Sequence, residues 1–127
     1  MLTKLVAGLA VLASSSTAWA QDAYYGWTPG SEIVGQRVQV ETNGVTNTVA
    51  FENGGVAKIY SPTGTTVVDA NWTAANGQLC LITSSTSDCY PYRSPFQAGQ
   101  AVDLISDCAV HSRWLAPTVS AKAGERG

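Results

Sequence analysis

The sequence predicts an all-β domain, a small antiparallel meander of about eight strands closed into an up-and-down β-barrel. Three observations carry this. No window repeats apolar residues with the 3.6-residue period of a helix, whereas period-two alternation recurs along residues 35–116. Turn signals rich in Asn, Gly, Pro and Ser separate the alternating runs at intervals of about 8–12 residues. Hydrophobic residues make up 45 % of the 127-residue chain and charged residues only 13 %. That is apolar content enough to offset the ordering entropy that keeps charge-rich chains unfolded. Tight turns between eight strands favour closure, because closure removes exposed sheet edges. A β-sandwich built from the same hairpins is the alternative.

Met1 to Ala20 reads as a signal peptide. Lys4 gives the basic start, Leu5 to Ala13 the apolar run, and Ala18-Trp19-Ala20 the small-residue cleavage pattern. Nine apolar residues are too few to span a bilayer, which takes about 20. Cleavage after Ala20 leaves 107 residues with six basic and nine acidic side chains, a formal charge of -3. The expected location is periplasmic or secreted, without a membrane span. A full-chain pI near 5.1 argues against a nucleic-acid partner, whose binders are usually basic.

Residues 21–33 form an N-terminal extension with Tyr24, Tyr25 and Trp27, aromatics suited to covering one end of a barrel. The barrel domain is expected over 34–116. Its first strand is Gly35 to Thr42, with Val38 and Val40 on one face and Arg37, Gln39 and Glu41 on the other. Asn43-Gly44 is the strongest short hairpin signal, since both residues accept positive φ. Val45 to Glu52 returns, and a two-residue loop sets Val38 opposite Val49. Asn53-Gly54-Gly55 turns into Val56 to Ser61, and Pro62-Thr63-Gly64 into Thr65 to Ala75 with Val68 and Trp72 on one face. Asn76-Gly77 turns into Gln78 to Thr83, and Ser84 to Ser87 into Asp88 to Arg93. Gln100 to Ser106 and Val110 to Ala116 make the last hairpin around Asp107-Cys108-Ala109, with Val102 opposite Trp114. Residues 117–127 have little to bury and are expected to be a disordered tail.

In an oxidising compartment at least one disulfide is expected among Cys80, Cys89 and Cys108. The turn at Ser84-Ser85 places Cys80 opposite Cys89, within reach of a cross-strand bridge. Cys108 is then a free thiol at a hairpin tip, open to an intermolecular pairing that would link two copies. The alternative, Cys89 with Cys108, would tie neighbouring hairpins. With no C-x-x-C and a single histidine, His111, no metal site or cofactor is expected.

Catalysis is poorly supplied, so an enzyme is the weaker reading. His111 is expected on the outer face with Arg113, and Asp103 and Asp107 there read as solvated charge rather than an acid–base pair. No phosphate loop, dinucleotide fingerprint, nucleophile elbow or zinc-peptidase motif is present. Asn71-Trp72-Thr73 matches the N-glycosylation pattern. The aromatics are the better functional clue. Trp72, Trp114 and Tyr60 are expected to line a barrel interior that holds a small apolar ligand. The segment Tyr90 to Phe96, through Tyr90, Tyr92, Arg93 and Phe96, has the composition of a protein contact, because Tyr and Arg are enriched at hot spots. That second reading is an envelope component or hydrolase inhibitor.

The run Asp69-Ala70-Asn71-Trp72, then Gly77-Gln78-Leu79-Cys80-Leu81 and Cys89-Tyr90, resembles a pattern in small secreted proteobacterial domains of unknown function with a lipocalin-like, or calycin-type, β-barrel. The resemblance covers about 25 of 127 residues. It implies a bacterial envelope or secreted barrel with one disulfide, and brings no activity.

Overall fold

The computed structural model describes residues 26–120. The signal-peptide segment, Tyr24 and Tyr25 lie outside the described residues. Eight antiparallel strands follow one another: β1 (Arg37–Thr42), β2 (Val45–Glu52), β3 (Val56–Tyr60), β4 (Val67–Ala75), β5 (Gln78–Ile82), β6 (Ser87–Pro91), β7 (Val102–Ile105) and β8 (His111–Leu115). They form a single sheet in the order β6-β5-β4-β3-β2-β1-β8-β7. The two end strands meet through Asp107, just past β7. Its backbone N–H donates to Cys89 O at 2.9 Å, and its Oδ1 accepts from Cys89 N at 3.0 Å. The sheet thus curls into one nearly closed barrel, and the sandwich alternative falls.

Local chemistry sets the hairpins. Asn43 and Gly44 have φ of 52° and 81°, and Asn76 and Gly77 have 55° and 76°, the paired positive values that match strand twist. The register sets Val38 opposite Val49 and Val102 opposite Trp114, as the alternation predicts. The loop after β7 closes on Ser106, whose N–H donates to Val110 O and whose Oγ accepts from Cys108 N and Val110 N. β4 begins at Val67, two residues later than expected, because Ser61 N–H bonds Thr66 O and keeps Thr65 and Thr66 in the turn.

Cys80 and Cys89 face each other across β5 and β6 and form the disulfide, with Cα atoms 4.0 Å apart. Cys108 is a free, exposed thiol. Replacing both bridged cysteines with serine is expected to lower stability by about 2–3 kcal/mol, from the chain entropy released when so short a loop is opened. Urea unfolding checks this, and an unchanged midpoint would show that the pleated β5–β6 pair already confines the unfolded chain.

The core fills the barrel. Phe51, Trp72, Leu79, Tyr90, Phe96 and Trp114 are all buried in one cluster. Their rings meet edge-on or stacked: Phe51 on Trp72 at 5.0 Å, Tyr90 on Trp114 at 5.0 Å, and Phe96 on Trp114 at 5.8 Å. These are favourable quadrupole geometries.

The expected loose ends are partly ordered. The chain from Gly26 folds across one end of the barrel, with Ile33 fully buried in the core. Gly30 has a φ of 92° and lies so close to Trp72 that a Cβ there would come within 2.9 Å of the ring. Only glycine meets both conditions. At the other terminus Thr118 Oγ1 donates to Gln36 Oε1 at 2.7 Å, and Ser120 N–H donates to Glu32 O at 2.8 Å. Residues 118–120 are therefore strapped to the barrel; the rest of the predicted tail lies outside the described residues.

Candidate functional site

One end of the barrel is sealed around a buried carboxylate. Glu32 is 2 % exposed. It accepts from Trp27 Nε1 at 2.9 Å, from the Tyr92 hydroxyl at 2.6 Å and from Phe96 N at 2.9 Å. The Tyr92 oxygen in turn accepts from Gly30 N at 2.9 Å. Burial, and then the adjacent Glu32 carboxylate, push the Tyr92 phenol well above its ordinary value. The pattern of residues 26–33 holds no period that marks Glu32 as interior. The only hint is one carboxylate set among aromatic and apolar neighbours.

The opposite end carries the Asn43–Gly44 hairpin. The pleat that turns Val49 and Phe51 toward the axis also turns Val45 and Asn47 that way. Val68 stands opposite Ile59, which packs against the core. Leu81 stands opposite Trp72 on the same face. Yet Val45 is 49 % exposed and Val68 42 %, against 0–9 % for the core residues behind them. Ile59, Leu81, Thr42 and Asn47 are half-buried. Val45, Val68, Ile59 and Leu81 give this end an apolar part over an aromatic floor, and Thr42, Asn47 and Asp88, opposite Leu81, add polar groups on the same face. Trp114, in that floor, is fully buried, and its indole N–H lacks a hydrogen-bond partner among the described residues. Trp72 differs, donating Nε1–H to Glu52 O at 3.0 Å.

The residues expected in the interior therefore separate. Trp72 and Trp114 face inward, whereas Tyr60 does not. Tyr60 is opposite Thr48 and Val67, on the outer side of β3 with Lys58. It shares its pleat side with that lysine, a signal present in the sequence. The expected contact segment is also different from its composition. Tyr90, Tyr92 and Phe96 are 5 %, 4 % and 5 % exposed, because their rings complete the core beneath the β6–β7 seam. Of the four residues expected to meet a protein partner, only Arg93 is exposed.

His111 is exposed on the outer face, in a shallow groove of about 510 Å³ with Glu41, Asp103 and Arg113. Arg113 Nε donates to Asp103 Oδ1 at 3.1 Å. Asp107 is occupied by the Cys89 N–H. Both carboxylates expected on this face thus have cross-strand duties.

Cys108 lies against the same seam. Its ligand atom and those of Asp88 and Asp107 all fall within 4.8 Å of one another. Asp88, then the Asp107 charge, push the Cys108 thiol above its usual value. Alkylation of Cys108 should consequently be slow at neutral pH and rise only at alkaline pH. Asp88→Asn is expected to move the midpoint of the rate–pH curve downward. A midpoint that stays put would mean that Asp88 does not act on the thiol. Among the described residues no helix is long and apolar enough to cross a membrane. The chain matches no protein-family model, no curated protein and no solved structure.

Proposed function

We propose a non-catalytic binding protein of the periplasm or the secreted space, lipocalin-like in plan, that takes a small apolar ligand at the Asn43–Gly44 end of its barrel. One observation carries the reading: Val45 and Val68 point toward the barrel axis yet stay 49 % and 42 % exposed, while the opposite end is sealed. Apolar surface that faces inward and remains wet costs hydration free energy, and an apolar ligand recovers it. The aromatic floor supplies the rest of a ligand-type lining, apolar with few polar groups. The disulfide supports a compartment outside the cytoplasm.

N-phenyl-1-naphthylamine, a neutral probe whose emission rises in apolar surroundings, tests the reading directly. Saturable enhancement is expected with the wild-type protein and near-complete loss with Val68→Asp. Val68 is half exposed, so the aspartate is tolerated in the fold. No enhancement up to the probe's solubility, or equal enhancement in Val68→Asp, would sink the proposal.

A further inference from the structure

On the outside of the barrel, β1, β2 and β3 carry a second groove, of about 440 Å³. Its floor alternates with the core residues: Arg37 and Gln39 from β1, Thr48 from β2 and Tyr60 from β3 all face out. The Ser61–Gly64 turn forms one wall. Arg37 is the only charged side chain lining it, and no carboxylate does. Elsewhere cations on this surface are matched across strands, Lys58 to Asp69 at 2.8 Å and Arg113 to Asp103 at 3.1 Å. Arg37 has no ion pair among the described residues. Arg93 also has none, but it lies over the Asn76–Gly77 turn rather than in a groove.

Arg37 is also held. Its guanidinium carbon stands 4.8 Å from the centre of the half-buried Tyr60 ring. A cation over an aromatic face is attracted by the ring, and this contact uses none of the guanidinium N–H donors. Hydroxyls line the same groove. Ser61 Oγ accepts from Thr66 N at 3.1 Å, so its own proton is left to donate. Thr48 has no side-chain partner among the described residues. A planar fork in a hydroxyl-lined groove, without a competing carboxylate, matches an oxyanion that can be bound in bidentate fashion.

We propose that this groove is a binding site for an oxyanion, a carboxylate or a phosphate group, with Arg37 as the fork and Tyr60 as the positioning residue. It lies outside the barrel and is independent of ligand uptake at the mouth.

The test is NMR of the Arg37 Nε–H and the Tyr60 ring during titration with sodium acetate and, separately, inorganic phosphate, with sodium chloride holding ionic strength constant. Saturable shifts are expected with at least one anion. Saturation by acetate alone identifies a carboxylate ligand, by phosphate alone a phosphate ligand, and by both the shared oxyanion chemistry. Arg37→Gln, on an exposed side chain, should abolish saturation at Tyr60. Tyr60→Leu should weaken binding several-fold while leaving Arg37 present, an effect that charge alone would not give. Shifts that grow linearly and equally with chloride, or saturation unchanged in Arg37→Gln, would overturn the proposal.

Discussion

Replacing Glu32 with alanine should cost about 3–5 kcal/mol, a large share of the 5–15 kcal/mol that holds a typical domain together. The reason is what stays behind. Trp27 Nε1–H, the Tyr92 hydroxyl and Phe96 N–H all converge on one carboxylate. Removing it strands the buried Tyr92 and Phe96 donors, each costing about 1–3 kcal/mol when left unmade. The loss also frees two parts of the chain at once, the segment from Gly26 and the Tyr92–Phe96 crossover. Glu32→Gln keeps the volume and one acceptor oxygen, so it should fall between wild type and Glu32→Ala in urea unfolding. Equal midpoints for all three proteins would show that the carboxylate is not the anchor of this end.

The same site gives an alkaline limit. The folded protein holds the Tyr92 proton where the unfolded chain releases it, above pH about 10. Stability is therefore full below that pH and falls as pH rises beyond it, by up to about 1.4 kcal/mol per pH unit for this phenol. Tyr90, raised first by burial, adds in the same direction. Tyr92→Phe removes the first contribution and should flatten the alkaline fall, which unfolding midpoints at pH 9 to 11.5 would register.

The second large effect lies in the barrel floor. Trp114→Ala is expected to cost about 3–5 kcal/mol, since it deletes a fully buried indole and leaves a cavity against Tyr90 and Phe96. The hole would be apolar, and such cavities stay dry and accept small aromatic molecules. Millimolar indole should then raise the melting temperature of Trp114→Ala more than that of the wild type, by mass action on the folded state. A variant that loses stability but ignores indole has collapsed its core around the site. Trp114→Phe separates size from polarity. It loses part of the ring but also removes a buried N–H that has no partner among the described residues, so its cost should be well below that of alanine.

Much of the architecture was legible in local chemistry. Asn43-Gly44 and Asn76-Gly77 name their own turn type, and a two-residue turn admits one register. Once that register stands, Val38 must face Val49, and the shorter β5–β6 hairpin must bring Cys80 to Cys89. The mouth was half legible. Trp72 and Trp114 sit on the apolar side of their strands, but alternation alone does not say that Val45 and Val68 remain wet, because exposure depends on how far neighbouring strands extend past them. Tyr60 was misplaced although Lys58, two residues earlier, marks the outer side. The Tyr90–Phe96 segment was misread because its prolines do mark a departure from the ladder, but not the direction in which the rings turn.

By itself, the sequence determined the all-β class, eight strands, their hairpin pairing and the disulfide, because each follows from contacts between residues close along the chain. Only the tertiary structure decided what joins distant segments. Closure at the β6–β7 seam depends on Asp107 meeting Cys89, and the sealed end depends on Glu32 meeting Tyr92 and Phe96, 60 and 64 residues away. A buried carboxylate has no periodic signature. Its place is stable only when all its donors arrive together, and that happens only in the closed barrel.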